Sequence, residues 1–132
     1  MHWGLVHCTP EATLRDVATL MAEAVVHCVV VLELPSDGAA LWGVVSDLDL
    51  IAAATVRSLD DQRAGGTAMT PAITVFPHES LESAAERMTA YGVSHLVVVD
   101  DVRHRPVGVV STLDLVRTLA AATPEWRSHV SA

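Results

Sequence analysis

Gly43-Val44-Val45-Ser46-Asp47-Leu48-Asp49-Leu50 returns later in the chain as Gly108-Val109-Val110-Ser111-Thr112-Leu113-Asp114-Leu115, with one change. A β-branched run that steps through serine into an acidic, leucine-rich segment twice marks a duplication. The repeating unit is longer than the ~20 to 50 residues of solenoid repeats and suits one supersecondary motif copied once.

At 132 residues the chain is long enough for one core or two small fused ones, and too short for two ordinary independent domains. Apolar residues make up 51% of it, yet no apolar run approaches the ~20 residues of a membrane-spanning helix. The excess is expected in a core and a subunit interface. Neither a basic segment nor a leader-length apolar stretch opens the sequence, which sets the expectation of a cytoplasmic protein without a membrane partner. Sixteen acidic residues against eight basic ones argue against a nucleic-acid partner held by its phosphates. All eight basic residues are arginine, which removes P-loop and Schiff-base chemistry together.

The two copies read in the same order. Residues 5–8 are strand-like and Pro10 interrupts them; Thr13 caps a helix whose Leu14, Val17, Ala18 and Met21 fall on one face. Residues 25–34 read as a buried strand, 35–38 as a turn, 41–45 as the returning strand, and Ser46 opens a second helix. The second copy repeats this with a strand at 73–75 and a helix capped by Ser80 that presents Leu81, Ala84, Ala85 and Met88. A strand at 93–99, its partner at 107–110 and a helix from Ser111 to about residue 122 complete it. Residues 1–56 are thus read as repeat one, 57–68 as a polar linker, 69–122 as repeat two and 123–132 as a tail. The offset is 67 at Pro10/Pro77 and Met21/Met88 but 65 at Ser46/Ser111 and Asp49/Asp114, which puts a two-residue difference in the hairpin loop.

A β-α-β-β-α unit occurring twice, each copy closing on Gly-apolar-apolar-Ser-x-x-Asp-apolar, resembles a tandem pair of CBS domains, a Bateman module. Met69-Thr70-Pro71 and Val93-Ser94-His95 also resemble the family's pattern at a repeat's start and before its hairpin. The resemblance implies an α+β fold of two repeats with pseudo-twofold symmetry, small sheets packed against helices, and a cleft that binds AMP, ADP, ATP or S-adenosylmethionine. It implies a regulatory and non-catalytic role, no required cofactor, a homodimer and a separate effector protein. On that pattern Asp49 and Asp114 hold ribose hydroxyls, and Ser46 and Ser111 meet a phosphate or the sugar. Ser46 and Asp49 then share a site with Thr70, Val93 and Ser94, while Ser111 and Asp114 share one with Trp3, Val26 and His27. Arg117, one turn beyond Asp114, is placed to reach a phosphate, and its counterpart is Ala52.

Each of these features has a plainer reading. Ser-x-x-Asp ahead of an apolar helix is a capping box that needs no ligand, and a chain using it only so would be a ligand-free interaction scaffold. His7-Cys8 and His27-Cys28 suggest a metal, but neighbours on a strand point to opposite faces, so the four side chains do not converge. An enzyme is disfavoured because no G-x-S-x-G elbow, glycine-rich phosphate loop or H-E-x-x-H motif is present.

Overall fold

The computed structural model describes residues 5–33 and 40–121; Trp3, the turn read at 35–38 and the tail at 123–132 lie outside them. Two compact units divide the chain, one of Leu5–Ala72 and one built from Ile73 onward.

The first unit runs β1 (His7–Cys8), α1 (Leu14–Ala24), β2 (Cys28–Glu33), β3 (Ala40–Ser46) and α2 (Asp47–Ala54), followed by a 3₁₀ turn (Leu59–Asp61) and the short α3 (Ala64–Thr67). Its sheet has the order β1-β2-β3, with β1 parallel and β3 antiparallel to β2. Helix α1 starts where the Thr13 hydroxyl accepts the Asp16 N–H at 3.1 Å. It ends at Val25, whose left-handed backbone (φ 53°) returns its N–H to the Met21 carbonyl. The second unit repeats the pattern with β4 (Thr74–Val75), α4 (Leu81–Tyr91), β5 (His95–Val99), β6 (Pro106–Ser111) and α5 (Thr112–Ala121), its sheet ordered β4-β5-β6. Here Gly92 occupies the left-handed position that ends α4. A glycine makes that turn without steric cost, whereas the 84% exposed Val25 makes it against the preference of a β-branched side chain.

The duplication extends into the cores. Val75, Leu81, Ala84, Met88, Leu96, Val98, Val110 and Leu115 form the buried cluster of the second unit. Cys8, Leu14, Val17, Met21, Val29, Val31, Val45 and Leu50 stand at the matching positions of the first. Burying each large aliphatic side chain contributes roughly 1.5 to 3 kcal/mol, so these matched sets are the main source of stability in each unit. Strands β2 and β5 are buried along both faces, which is why they read as unbroken apolar runs. Each sheet carries a bulge at the same place, between Val31 and Leu32 and between Val98 and Val99. Beyond the bulge, Leu32 pairs with Leu41 and Val99 with Pro106, so the first hairpin is two residues longer, and the difference lies past the last shared pair.

Residues 57–68, read as a linker, are folded onto the first unit. Gln62 is buried, and its side-chain amide donates to the carbonyls of Ala53 (2.9 Å) and Arg57 (3.1 Å), closing the C-terminal end of α2. Its own carbonyl accepts from Leu14 at 2.9 Å, Ala64 donates to the Ala12 carbonyl at 2.8 Å, and Arg15 pairs with Asp60. Ala64 and Ala53 thereby add to the first core. No helix among the described residues is long and apolar enough to cross a membrane.

The repeated glycine has a steric reason in the first copy. Val44 and Met69 exchange backbone hydrogen bonds at 3.3 and 2.9 Å, which lays residues 68–70 across Gly43. A β-carbon on Gly43 would sit 2.5 Å from the Met69 carbonyl oxygen. We therefore expect Gly43→Ala to lower unfolding stability by about 1 to 3 kcal/mol, read as a reduced urea midpoint with unchanged slope.

Candidate functional site

Both copies of the repeated stretch place a serine at the last position of a strand and an aspartate in the first turn of the next helix. At α2, the Ser46 hydroxyl accepts the Asp49 N–H at 3.1 Å and Asp49 Oδ2 accepts the Ser46 N–H at 2.9 Å. The arrangement is a full capping box, with two donors at the helix start satisfied reciprocally. At α5 the same pair of bonds joins Ser111 and Asp114 at 3.2 and 2.7 Å. The Ser111 hydroxyl also donates to Asp114 Oδ2 at 3.0 Å. Burial works to raise the Asp114 carboxyl, and the donors on it, the Ser111 N–H and hydroxyl among them, hold it below the usual carboxylate range.

A second feature ties each helix start to the residue just before the hairpin of its own repeat. The Asp47 N–H donates to the His27 carbonyl at 2.9 Å, and the Thr112 N–H to the Ser94 carbonyl at 2.9 Å. In the first unit the side chains above this bond also meet, with His27 Nδ1 3.0 Å from Asp47 Oδ2. In the second, the Ser94 hydroxyl turns to the ring of His95 at 3.0 Å.

The residues singled out from the sequence thus fall into two groups. Ser46, Asp49, Thr70, Val26 and His27 belong to the first unit; Val93, Ser94, Ser111, Asp114 and Arg117 belong to the second. Val26 and Val93 are half-buried and pack against their respective cores. Thr70 is exposed beside Gly43, where the strand leads to Ser46. Arg117 is exposed on α5, one turn beyond Asp114. The sequence reading passed over Asp47. The signal was present, because the one change inside the repeated stretch sets Asp47 against Thr112.

Within each His-Cys pair the two side chains differ in burial, with His7 and His27 exposed and Cys8 and Cys28 buried; His7–Cys8 form β1, while His27 lies in the bend just before β2. Burial, with Asp16 adding, pushes the Cys8 thiol up to about 11, and burial with Asp47 pushes Cys28 to about 12. Both are protonated, unreactive thiols at neutral pH.

Chemically, each helix start offers a carboxylate that accepts from hydroxyls and a serine oxygen beside the positive end of a helix dipole. Asp49 Oδ1 takes no hydrogen bond among the described residues, which leaves an acceptor for a sugar hydroxyl.

The family model described as the CBS domain matches the chain twice, over residues 1–55 and 66–121. The protein MJ0450 of Methanocaldococcus jannaschii is 32% identical over 110 residues, covering 81% of this chain. This chain spans 57% of that relative, just over half its length. Among solved structures, the CBS domain protein PAE2072 of Pyrobaculum aerophilum, complexed with AMP, is 31% identical with a TM-score of 0.73, covering 89% of this chain and 92% of its own. A protein with CBS domains from Burkholderia ambifaria MC40-6 shares the fold at a TM-score of 0.80 and 24% identity, covering 94% and 88%.

The capping boxes make a stability prediction separable from any ligand. Ser46→Ala and Ser111→Ala should each cost about 1 kcal/mol. Asp49→Asn and Asp114→Asn keep an acceptor in place and should lose only the dipole contribution of roughly 0.3 to 1 kcal/mol. Thermal melts of the four single variants compare the two classes directly.

Proposed function

The chain belongs to the CBS-domain family, and from that we propose that it is a regulatory module that binds an adenosyl compound and passes its occupancy to a partner protein. The ligand class is AMP, ADP, ATP or S-adenosylmethionine, and the role is regulatory rather than catalytic. The observation that carries the reading is the twin helix start: Ser46 with Asp49 and Ser111 with Asp114 present the same acceptors at the same turn, each tied to the residue before its hairpin. The AMP complex of PAE2072, at 31% identity over most of both chains, supports the adenosyl class. Arg117 is the basic side chain of α5, and α2 carries none. A phosphorylated ligand is therefore assigned to the Ser111–Asp114 end.

We also propose a homodimer in the cytoplasm. Its support is a set of exposed apolar side chains repeated at matched positions: Leu48 and Ile51 on α2, Leu113 and Val116 on α5. Such side chains favour burial against a second surface.

A second reading, a ligand-free interaction scaffold, is favoured by the completeness of the capping boxes, since each serine and aspartate already has a partner in its own helix. Ligand binding that changes nothing but occupancy would not make a sensor, because a ligand shifts a conformational equilibrium only through unequal affinity for its states.

Thermal unfolding with and without AMP, ADP, ATP or S-adenosylmethionine separates the two. A ligand at about 100 times its dissociation constant adds about 2.7 kcal/mol, several degrees in midpoint for a domain of this size. We expect such a shift with at least one adenosyl compound, its loss in Asp114→Asn or Asp49→Asn, and weaker binding of phosphorylated ligands in Arg117→Ala. No shift with any of them assigns the scaffold. Light scattering at micromolar concentration should give twice the 14.0 kDa chain mass.

A further inference from the structure

The two helix starts do not offer an anion the same thing. On α2 all three N–H groups of the opening residues are used. Asp47 donates to the His27 carbonyl (2.9 Å), Leu48 to Asp47 Oδ1 (2.8 Å), and Asp49 to the Ser46 hydroxyl (3.1 Å). On α5 the first and third are used in the same way, by the Ser94 carbonyl and the Ser111 hydroxyl. The second, the Leu113 N–H, has no partner among the described residues.

One substitution between the copies produces this difference. Asp47 turns its carboxylate back over its own helix start, and His27 at 3.0 Å holds it there. Thr112, at the matching position, brings no charge. The first turn of α2 therefore carries two carboxylates, Asp47 and Asp49, and no basic residue follows on that helix. The first turn of α5 carries one, with Arg117 beyond it. A phosphate at a helix N-terminus needs free N–H donors and a positive field. At α2 the donors are consumed and a fixed carboxylate opposes the charge. A hydroxyl-bearing sugar meets no such opposition, because a carboxylate accepts its hydrogen bonds.

We infer that the α2 end takes an adenosyl ligand without a 5′-phosphate, a neutral or cationic nucleoside, and that Asp47 is the residue that sets this choice. The inference rests on the adenosyl reading given above and adds the ligand class of one of its two ends.

Calorimetric titration of the full chain with AMP and with adenosine tests it. The wild-type chain should bind one AMP, and adenosine should still bind once AMP has saturated. Asp47→Thr, which copies the other repeat, should raise the ratio of AMP to adenosine affinity at this second site at least tenfold. Asp47→Asn, which keeps the side-chain shape and removes the charge, should move it in the same direction and serves if the threonine variant melts early. Two equal AMP sites in the wild-type chain, or an unchanged ratio in both variants, overturn the assignment of Asp47 while leaving the adenosyl reading in place. Absence of binding by AMP and adenosine alike, in wild type and variants, overturns the adenosyl reading and this inference with it.

Discussion

The reciprocal bond between a strand-end serine and the aspartate three residues later fixes the junction on which both units depend. A helix that follows a strand without a loop leaves its opening N–H groups exposed to a half-buried environment, where an unmatched donor costs about 1 to 3 kcal/mol. Ser46 with Asp49 and Ser111 with Asp114 remove that cost and set where the helix begins. That position then determines the packing, because Leu50 and Leu115, each next in sequence to the aspartate, are buried in the core of their own unit. The adjoining backbone bonds, Asp47 to His27 and Thr112 to Ser94, anchor the same junction to the start of the neighbouring strand. Strand register, helix phase and the placement of the polar groups are therefore one constraint.

Much of this was legible in the sequence because it is periodic and occurs twice. The 3.6-residue spacing of Leu14, Val17 and Met21, and of Leu81, Ala84 and Met88, marks helix faces that the structure buries. Val29 to Leu32 and Leu96 to Val99 have no polar alternation, as fits strands covered on both faces. The change of offset from 67 to 65 places the length difference in the hairpin, where the pairing beyond the shared bulge shows it.

What was not legible depends on contacts distant in sequence. Residues 57–68 are polar, and polarity alone suggests a tether; their fold comes from Gln62 meeting the carbonyls left open at the end of α2, which no local pattern encodes. Gly43 reads as a strand glycine, but its necessity comes from Met69, 26 residues away. The end of α1 is hidden for a different reason: the left-handed position is filled by Val25 where the second copy has Gly92, so the usual stop signal is absent and the apolar run places the strand start three residues ahead of Cys28. Asp47 carries no motif of its own: it is the one position of the repeated stretch at which the copies differ, and its role comes from the contact with His27, 20 residues away.

Duplicated scaffolds make such differences informative. Every buried position of the second core has a buried apolar counterpart in the first, since each unit must fill a similar space between one helix face and one sheet. Positions at the helix starts are released from that requirement, being exposed or half-exposed, and there the copies diverge: His27 against Ser94, Asp47 against Thr112, Ala52 against Arg117. All three changes alter charge or hydrogen bonding and leave core volume alone. They also act in one direction, placing a carboxylate beside a histidine at one end and, at the other, an N–H without a partner among the described residues and an arginine beyond it. A single packing solution thus carries two chemically distinct polar ends, and the cost of distinguishing them falls on surface residues whose substitution leaves the fold intact.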